Sequence, residues 1–451
     1  MILRLILAAT IIVMPNIARF HVDTGVRGIN LSNMVLMVVF ISLALARGGK
    51  QTNPGMGQLT PALSAFFLIL LLGFAIACLN PLAPFMDDLL FFKDAIFYPL
   101  FYFLFRRCRQ DLKGTRQLII LIMIVAAVAG VQAIRQGLDY GIGQYNESKR
   151  AAGPFGADYT MANVAGVYYA MFLPMFVALA VYLRGQRFWR MAAIAGSVIL
   201  AAAIMVTYSR QSYFIAVICL ALLLTRRSVV LAMVIAIAMI SVSGLLPESV
   251  TQRVAETKQS DKVGTATLDD STASRFEIWD GAMRMWGDHR MGVGLGRFSE
   301  NIGDYAPRYR NYDAHNFYVR TLAEGGPLGV LALLWVLFSL VRLSIVVQRS
   351  APPGDAEALA LGRGFMLCVL AMAMGNIYGS RFFDGVLMAS FWMLCGLMER
   401  YAALQRQAIL PAPAPVPQPE PLGALPSLIG ARFPLANRVF PGRSAHRADG
   451  H

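Results

Sequence analysis

Charge is scarce in this sequence: 15% of its 451 residues are Asp, Glu, Lys or Arg, while 57% are hydrophobic. A water-soluble domain of that length carries more charge, so the soluble globular class is excluded. Cysteine is scarce as well. Cys78, Cys108, Cys219, Cys368 and Cys395 lie in or beside apolar runs, with no CxxC and no metal-ligand spacing, which argues against a disulfide framework or a zinc site. DxD and His/carboxylate clusters of metal-binding character are also missing, and the adjacent pairs Asp87-Asp88 and Asp269-Asp270 read as solvated loop carboxylates. No small-x-small cleavage site precedes Arg19 in "MILRLILAATIIVMPNIARF", so this stretch is expected to be a retained first span. The formal net charge is +14, but the basic residues punctuate the apolar runs as short clusters, and no nucleic-acid partner is expected.

What the sequence has in abundance is apolar runs of bilayer-spanning length. They predict an all-α polytopic membrane protein with about twelve transmembrane helices, at 2–18, 31–47, 61–79, 89–105, 117–134, 160–183, 190–207, 211–225, 229–246, 327–347, 363–380 and 382–400. One alternate set of connecting loops holds seventeen Lys and Arg residues, among them Arg106, Arg107, Arg109, Lys113 and Arg116; the short loops of the other set hold seven. The richer set is cytoplasmic by the positive-inside rule, which puts both termini inside. The expected organisation is helices one to nine over 1–246, one large extracytoplasmic loop over 247–326, helices ten to twelve over 327–404, and a disordered cytoplasmic tail over 405–451 beginning in "PAPAPVPQPEPLGALP".

The chemistry gathers on the face of the large loop. "STASRFEIWDGAMRMW" (271–286) sets Arg275, Ile278, Trp279, Ala282 and Trp286 on one helical face, which predicts a helix in the membrane interface. Arg275 then either meets phosphate at headgroup depth or snorkels as an anchor. "MGVGLGRFSE" (291–300) follows no strand, so a nucleotide-loop reading is poor, and its glycines suit a tight turn and close backbone approach. From Ala314 to Glu324 a short helix is expected, with Arg320 and Glu324 paired, ended by Gly325-Gly326 before Pro327 opens the next span. His315 would sit at the membrane surface, either as a general base or as an interfacial histidine bound to headgroups or water. Arg210 lies in a very short hairpin on the same side and needs an anionic partner there. Lys149 and Arg150 precede a glycine-rich approach to the sixth span, and Lys93 is expected to pair with Asp94.

Taken in order, "YSRQSYF", "SRFEIWDGAMRMW" followed by "GVGLGRF", and "AHNFYVRTLAEGGPLG" resemble the O-antigen ligase/polymerase superfamily of bacterial membrane glycosyltransferases, over about residues 60 to 400. The resemblance implies a GT-C-like helical bundle with one large periplasmic loop in the bacterial inner membrane. It implies an undecaprenyl diphosphate-linked glycan donor and a glycan or lipid A-core acceptor, in contact with membrane lipids, with inversion at the anomeric carbon and no cofactor or metal. Carried over by motif, Arg210 and Arg275 match arginines that hold the diphosphate and His315 matches the essential loop histidine. Arg150 is a further candidate for the diphosphate, and Asn316 for orienting His315. Ligase and polymerase stay open. A lipid-linked oligosaccharide flippase or other twelve-span transporter is the competing reading, although such folds commonly join two halves by a longer cytoplasmic link than "RGQRFWR".

Overall fold

The computed structural model describes residues 2–20, 25, 30–45, 55–80, 82–141, 146–156, 158–225, 258–260, 266–268 and 270–409. The helices are α1 Ile2–Val13, α2 Leu31–Leu45, α3 Thr60–Leu79, α4 Phe85–Phe97, α5 Leu100–Arg106, α6 Leu112–Tyr140, α7 Ala162–Tyr182, α8 Arg187–Val206 and α9 Arg210–Thr225. They continue with α10 Asp270–Asp288, α11 Phe298–Tyr305, α12 Phe317–Arg349, α13 Ala356–Gly375 and α14 Gly385–Ile409. A three-residue antiparallel pair, β1 Lys258–Ser260 with β2 Ala266–Leu268, precedes α10. The expected span at 229–246, most of 247–269 and the Pro-rich tail lie outside the described residues.

The class is the expected one, an all-α polytopic membrane protein. By length and composition α3, α6, α7, α8, α12 and α13 are apolar enough to cross a membrane, and α1, α2 and α9 are shorter apolar helices. Twelve spans were expected, and these six and three are what the helices described here support. The outer surface of α12 exposes Leu331, Leu334, Trp335 and Phe338, and that of α3 exposes Leu68, Leu71 and Leu72. A helical bundle with an apolar exterior suits hydrocarbon, because each helix satisfies its own backbone polar groups. Inside, α13 lies along α7, α7 along α8 and α9, and α12 along α3 and α13. Small residues permit the close crossings: a Cβ at Gly364 of α13 would come 2.6 Å from Met175 Cα of α7.

The expected fourth span, 89–105, is not one helix. Pro99 has no N–H to donate, and the chain breaks there into α4 and α5. The helix expected from Ala314 begins instead at Phe317, because Asn316 is extended and its Oδ1 accepts from the backbone N–H of Tyr318 and Val319. The expected interfacial helix, α10, is docked on protein. Ile278, Ala282 and Met285 are buried with Phe298 and Ile302 of α11 in a second, smaller core, while Phe276 and Met283 stay exposed.

α12 bends at Gly326, with φ +61° and ψ −161°, one residue before Pro327. The Arg320–Glu324 pair forms across the last turn before the bend at 3.0 Å. A Cβ at Gly326 would lie 2.8 Å from the Arg290 carbonyl oxygen. Gly326→Ala is therefore expected to lower stability by about 1–3 kcal/mol, read as a lower melting temperature in detergent. Gly325→Ala, whose new Cβ meets nothing nearer than Ile69 Cγ2 at 3.9 Å, is the control. Equal melting of the two variants would refute the backbone argument.

Candidate functional site

At one end of the bundle the C-terminus of α8, the N-termini of α7 and α9, and the C-terminus of α13 meet around a cavity of about 470 Å³. Arg150, Arg210 and Arg275 all line it, together with Glu147, Asn163 and Tyr378. Each arginine arrives by a different local device. Arg210 is the first residue of α9, placed there by a three-residue reversal in which Tyr208 takes the left-handed conformation, φ +50°. Gln211 next to it donates to the carbonyls of Met374 and Gly375, fixing the start of α9 to the end of α13. Arg150 is buried: its Nε donates to the Thr207 carbonyl at 3.0 Å and its Nη2 to Asn163 Oδ1 at 2.6 Å, tying the segment before α7 to the α8–α9 reversal. Arg275 projects from α10 with its guanidinium 5.6 Å from the centre of the Tyr378 ring.

His315 stands beside this cavity and is not part of its wall. Its backbone is left-handed, φ +48°, a conformation that costs a non-glycine residue energy and is held only by its surroundings. Those surroundings are specific. The His315 N–H donates to Asp313 Oδ2 at 2.9 Å, the Ser380 hydroxyl donates to the same oxygen at 2.8 Å, and Arg320 donates to Asp313 Oδ1 at 3.0 Å. Trp279 of α10 donates to the Ala314 carbonyl at 2.8 Å. Burial opposes charge on Asp313, but Arg320, the Ser380 hydroxyl and the His315 N–H together hold its carboxyl below the usual range. Partial burial pushes the His315 imidazole below its ordinary value, and the positive charges of Arg275 and Arg381 push the same way against Asp313. The imidazole is therefore neutral at pH 7, with Asp313 Oδ2 3.9 Å from its Nδ1.

The sequence expectations divide on this geometry. Arg150, Arg210 and Arg275 come together, and His315 adjoins them through Arg275. Asn316 caps α12 and so holds the backbone directly after His315; the structure gives it no side-chain bond to the imidazole. The Lys93–Asp94 pair forms at 3.1 Å. Asp88, expected to be solvated, is buried and accepts from Arg297 Nη2 at 2.7 Å, while Gly294 of the same loop lies so close to α3 that a Cβ would come 2.8 Å from the Ala77 nitrogen. Sequence reasoning missed Asp313, Tyr378 and Arg381. The argument applied to Arg210, a cation in a short turn between apolar runs, was equally open for Arg381.

The fold is that of a polytopic helical membrane protein, with three arginines lining one cavity at the bundle's end and a histidine next to it. Residues 195–334 match the family model described as O-antigen ligase, and that match supports the O-antigen ligase/polymerase superfamily for this chain. The matched segment contains Arg210, Arg275, His315 and Asn316 and stops short of Arg150 and of the turn that carries Tyr378 and Arg381. The family's activity is of glycosyltransferase type, on a lipid-linked glycan and an acceptor. No curated protein matches the chain.

Proposed function

We propose that this protein transfers or polymerises an undecaprenyl diphosphate-linked glycan at the periplasmic face of the bacterial inner membrane, with both termini cytoplasmic. It would act as an O-antigen or exopolysaccharide polymerase or ligase, inverting and metal-independent. The observation that carries this reading is the convergence of Arg150, Arg210 and Arg275 on one cavity with His315 next to Arg275. An acceptor hydroxyl oxygen attacks the anomeric carbon from the face opposite the diphosphate. The new C–O bond forms as the bond to the phosphate oxygen breaks, and that electron pair leaves on the diphosphate. The hydroxyl proton passes to the neutral imidazole of His315. Guanidinium groups match phosphate oxygens in shape and charge, so Arg210 and Arg275 stabilise the charge that grows on the leaving group. Arg150 is largely committed to Thr207 and Asn163 and serves chiefly to shape the cavity's wall.

The test is a transfer assay on purified protein with an undecaprenyl diphosphate-linked repeat unit, in chelator, with and without lipid A-core. A ladder formed without lipid A-core identifies a polymerase, and product only with lipid A-core a ligase. Arg210→Gln and Arg275→Gln are each expected to lose about ten- to a hundredfold in rate, the worth of one charge-assisted contact. No transfer under either condition, with bilayer crossing of the lipid-linked unit intact, would replace this reading by a flippase.

A further inference from the structure

The turn between α13 and α14, residues 376–384, is joined to the His315 turn at several points. The Phe317 N–H donates to the Asn376 carbonyl at 2.9 Å, the Ser380 hydroxyl donates to Asp313, and Phe382 stacks on Phe317 with ring centres 5.0 Å apart. Tyr378 of the same turn carries the Arg275 guanidinium on its ring and lies 5.9 Å from the Trp279 ring. One turn thus touches the supports of both His315 and Arg275. It also carries Arg381. The Nε of Arg381 is shut off from solvent and has no hydrogen-bond partner, and among the described residues its guanidinium has no carboxylate within ion-pair distance. Of the nearby acids, Asp313 is bonded to Arg320, Ser380 and the His315 N–H, while Asp384, which accepts from the Leu387 N–H at the start of α14, acts on Arg381 through charge alone. Asp384 and Asp313 act on the Arg381 charge from beyond contact distance, so what the guanidinium lacks is a bonded partner, and a buried N–H left unbonded is costly unless a ligand accepts from it.

We propose that Arg381, with Arg275, receives the sugar-proximal phosphate of the donor's diphosphate on the His315 side, so that the 376–384 turn completes the anion site from outside the segment matched to the family. This rests on the donor assigned above. In that arrangement Arg210 and Arg275 reach the diphosphate from the cavity, and Arg381 closes the end nearest the breaking bond, where negative charge accumulates as the glycan leaves. Arg381 touches the leaving group, and its charge adds to burial and to the Arg275 charge in holding the neighbouring imidazole below its ordinary value.

The two phosphates give a direct test, because undecaprenyl monophosphate lacks the one assigned to Arg381. Binding of undecaprenyl diphosphate and of undecaprenyl monophosphate is measured on purified wild type and Arg381→Gln. The expected result is a loss of about ten- to a hundredfold for the diphosphate in the variant and an unchanged affinity for the monophosphate. Equal losses for both lipids, or none for either, overturn the proposal while leaving the donor assignment standing. Failure of the wild type to bind the diphosphate in preference to the monophosphate removes the donor assignment itself. Should Arg381→Gln not be recovered folded, Arg381→Lys takes its place. It keeps the charge and loses the fork, so a diphosphate-selective loss of about three- to tenfold is expected, and wild-type affinity for both lipids overturns the proposal.

Discussion

His315→Ala is expected to lower the rate of glycan transfer by about 10²–10⁴-fold, the usual worth of a general base, with donor binding preserved because the arginines remain. The acceptor hydroxyl must lose its proton as the new bond forms, and the neutral imidazole beside Arg275 is placed to take it. The pH profile checks the role. Burial, Arg275 and Arg381 set the imidazole below its ordinary value, so the wild-type rate should be flat at neutral pH. It should fall on the acid side as protonation removes the base, at a pH below the ordinary histidine midpoint. The residual activity of His315→Ala should show no such limb. An acid limb that persists in the variant, or a His315→Gln protein with most of the wild-type rate, would mean that His315 holds the diphosphate by hydrogen bonding and is not the base.

The largest expected loss of stability comes from the other end of the bundle. Both oxygens of Glu399 on α14 are engaged: Oε1 accepts from Arg106 Nε at 2.9 Å and from the Gln58 N–H at 3.0 Å, and Oε2 accepts from the Tyr102 hydroxyl at 2.6 Å. Arg106 is 2% exposed and Glu399 5%. Glu399→Ala leaves a buried guanidinium without its counter-charge, which costs about 3–5 kcal/mol. Thermal unfolding in detergent should show a large drop in melting temperature and in recovered folded protein. The double variant Arg106→Met/Glu399→Leu should recover most of the loss, because an apolar pair of similar volume carries no desolvation penalty. A double variant as unstable as Glu399→Ala would show that the loss comes from packing around α5 and α14 and not from the stranded charge.

The two regions also mark how far a sequence can be read. Apolar runs long enough to span a bilayer placed α3, α6, α7, α8, α12 and α13 with only their ends displaced, since a helix in hydrocarbon must close its own hydrogen bonds and pay for every charge. Gly325-Gly326-Pro327 marked the bend in α12 because that backbone geometry excludes other residues. Pro99 within "YPLFYF" carried the same kind of local signal for the break between α4 and α5, yet the run's hydrophobicity masked it. Arg210, Arg275 and His315 stand out in the sequence because charged or titratable groups beside apolar runs need a reason to be there, and the fold brings the two arginines to one cavity with His315 next to it.

What the sequence by itself determined is the class of molecule, the six long apolar helices, and the residue types that gather toward one end. The tertiary structure decided the partnerships. Asp88 is buried against Arg297, 209 positions away, α10 turns its apolar stripe into protein, Asp313 serves His315 and Ser380 together, and Arg381 stands among the supports of the site. Each of these depends on contacts between segments far apart in the chain. Such contacts form because burying a polar group demands a partner wherever one can be found, and the order of residues does not say where that is.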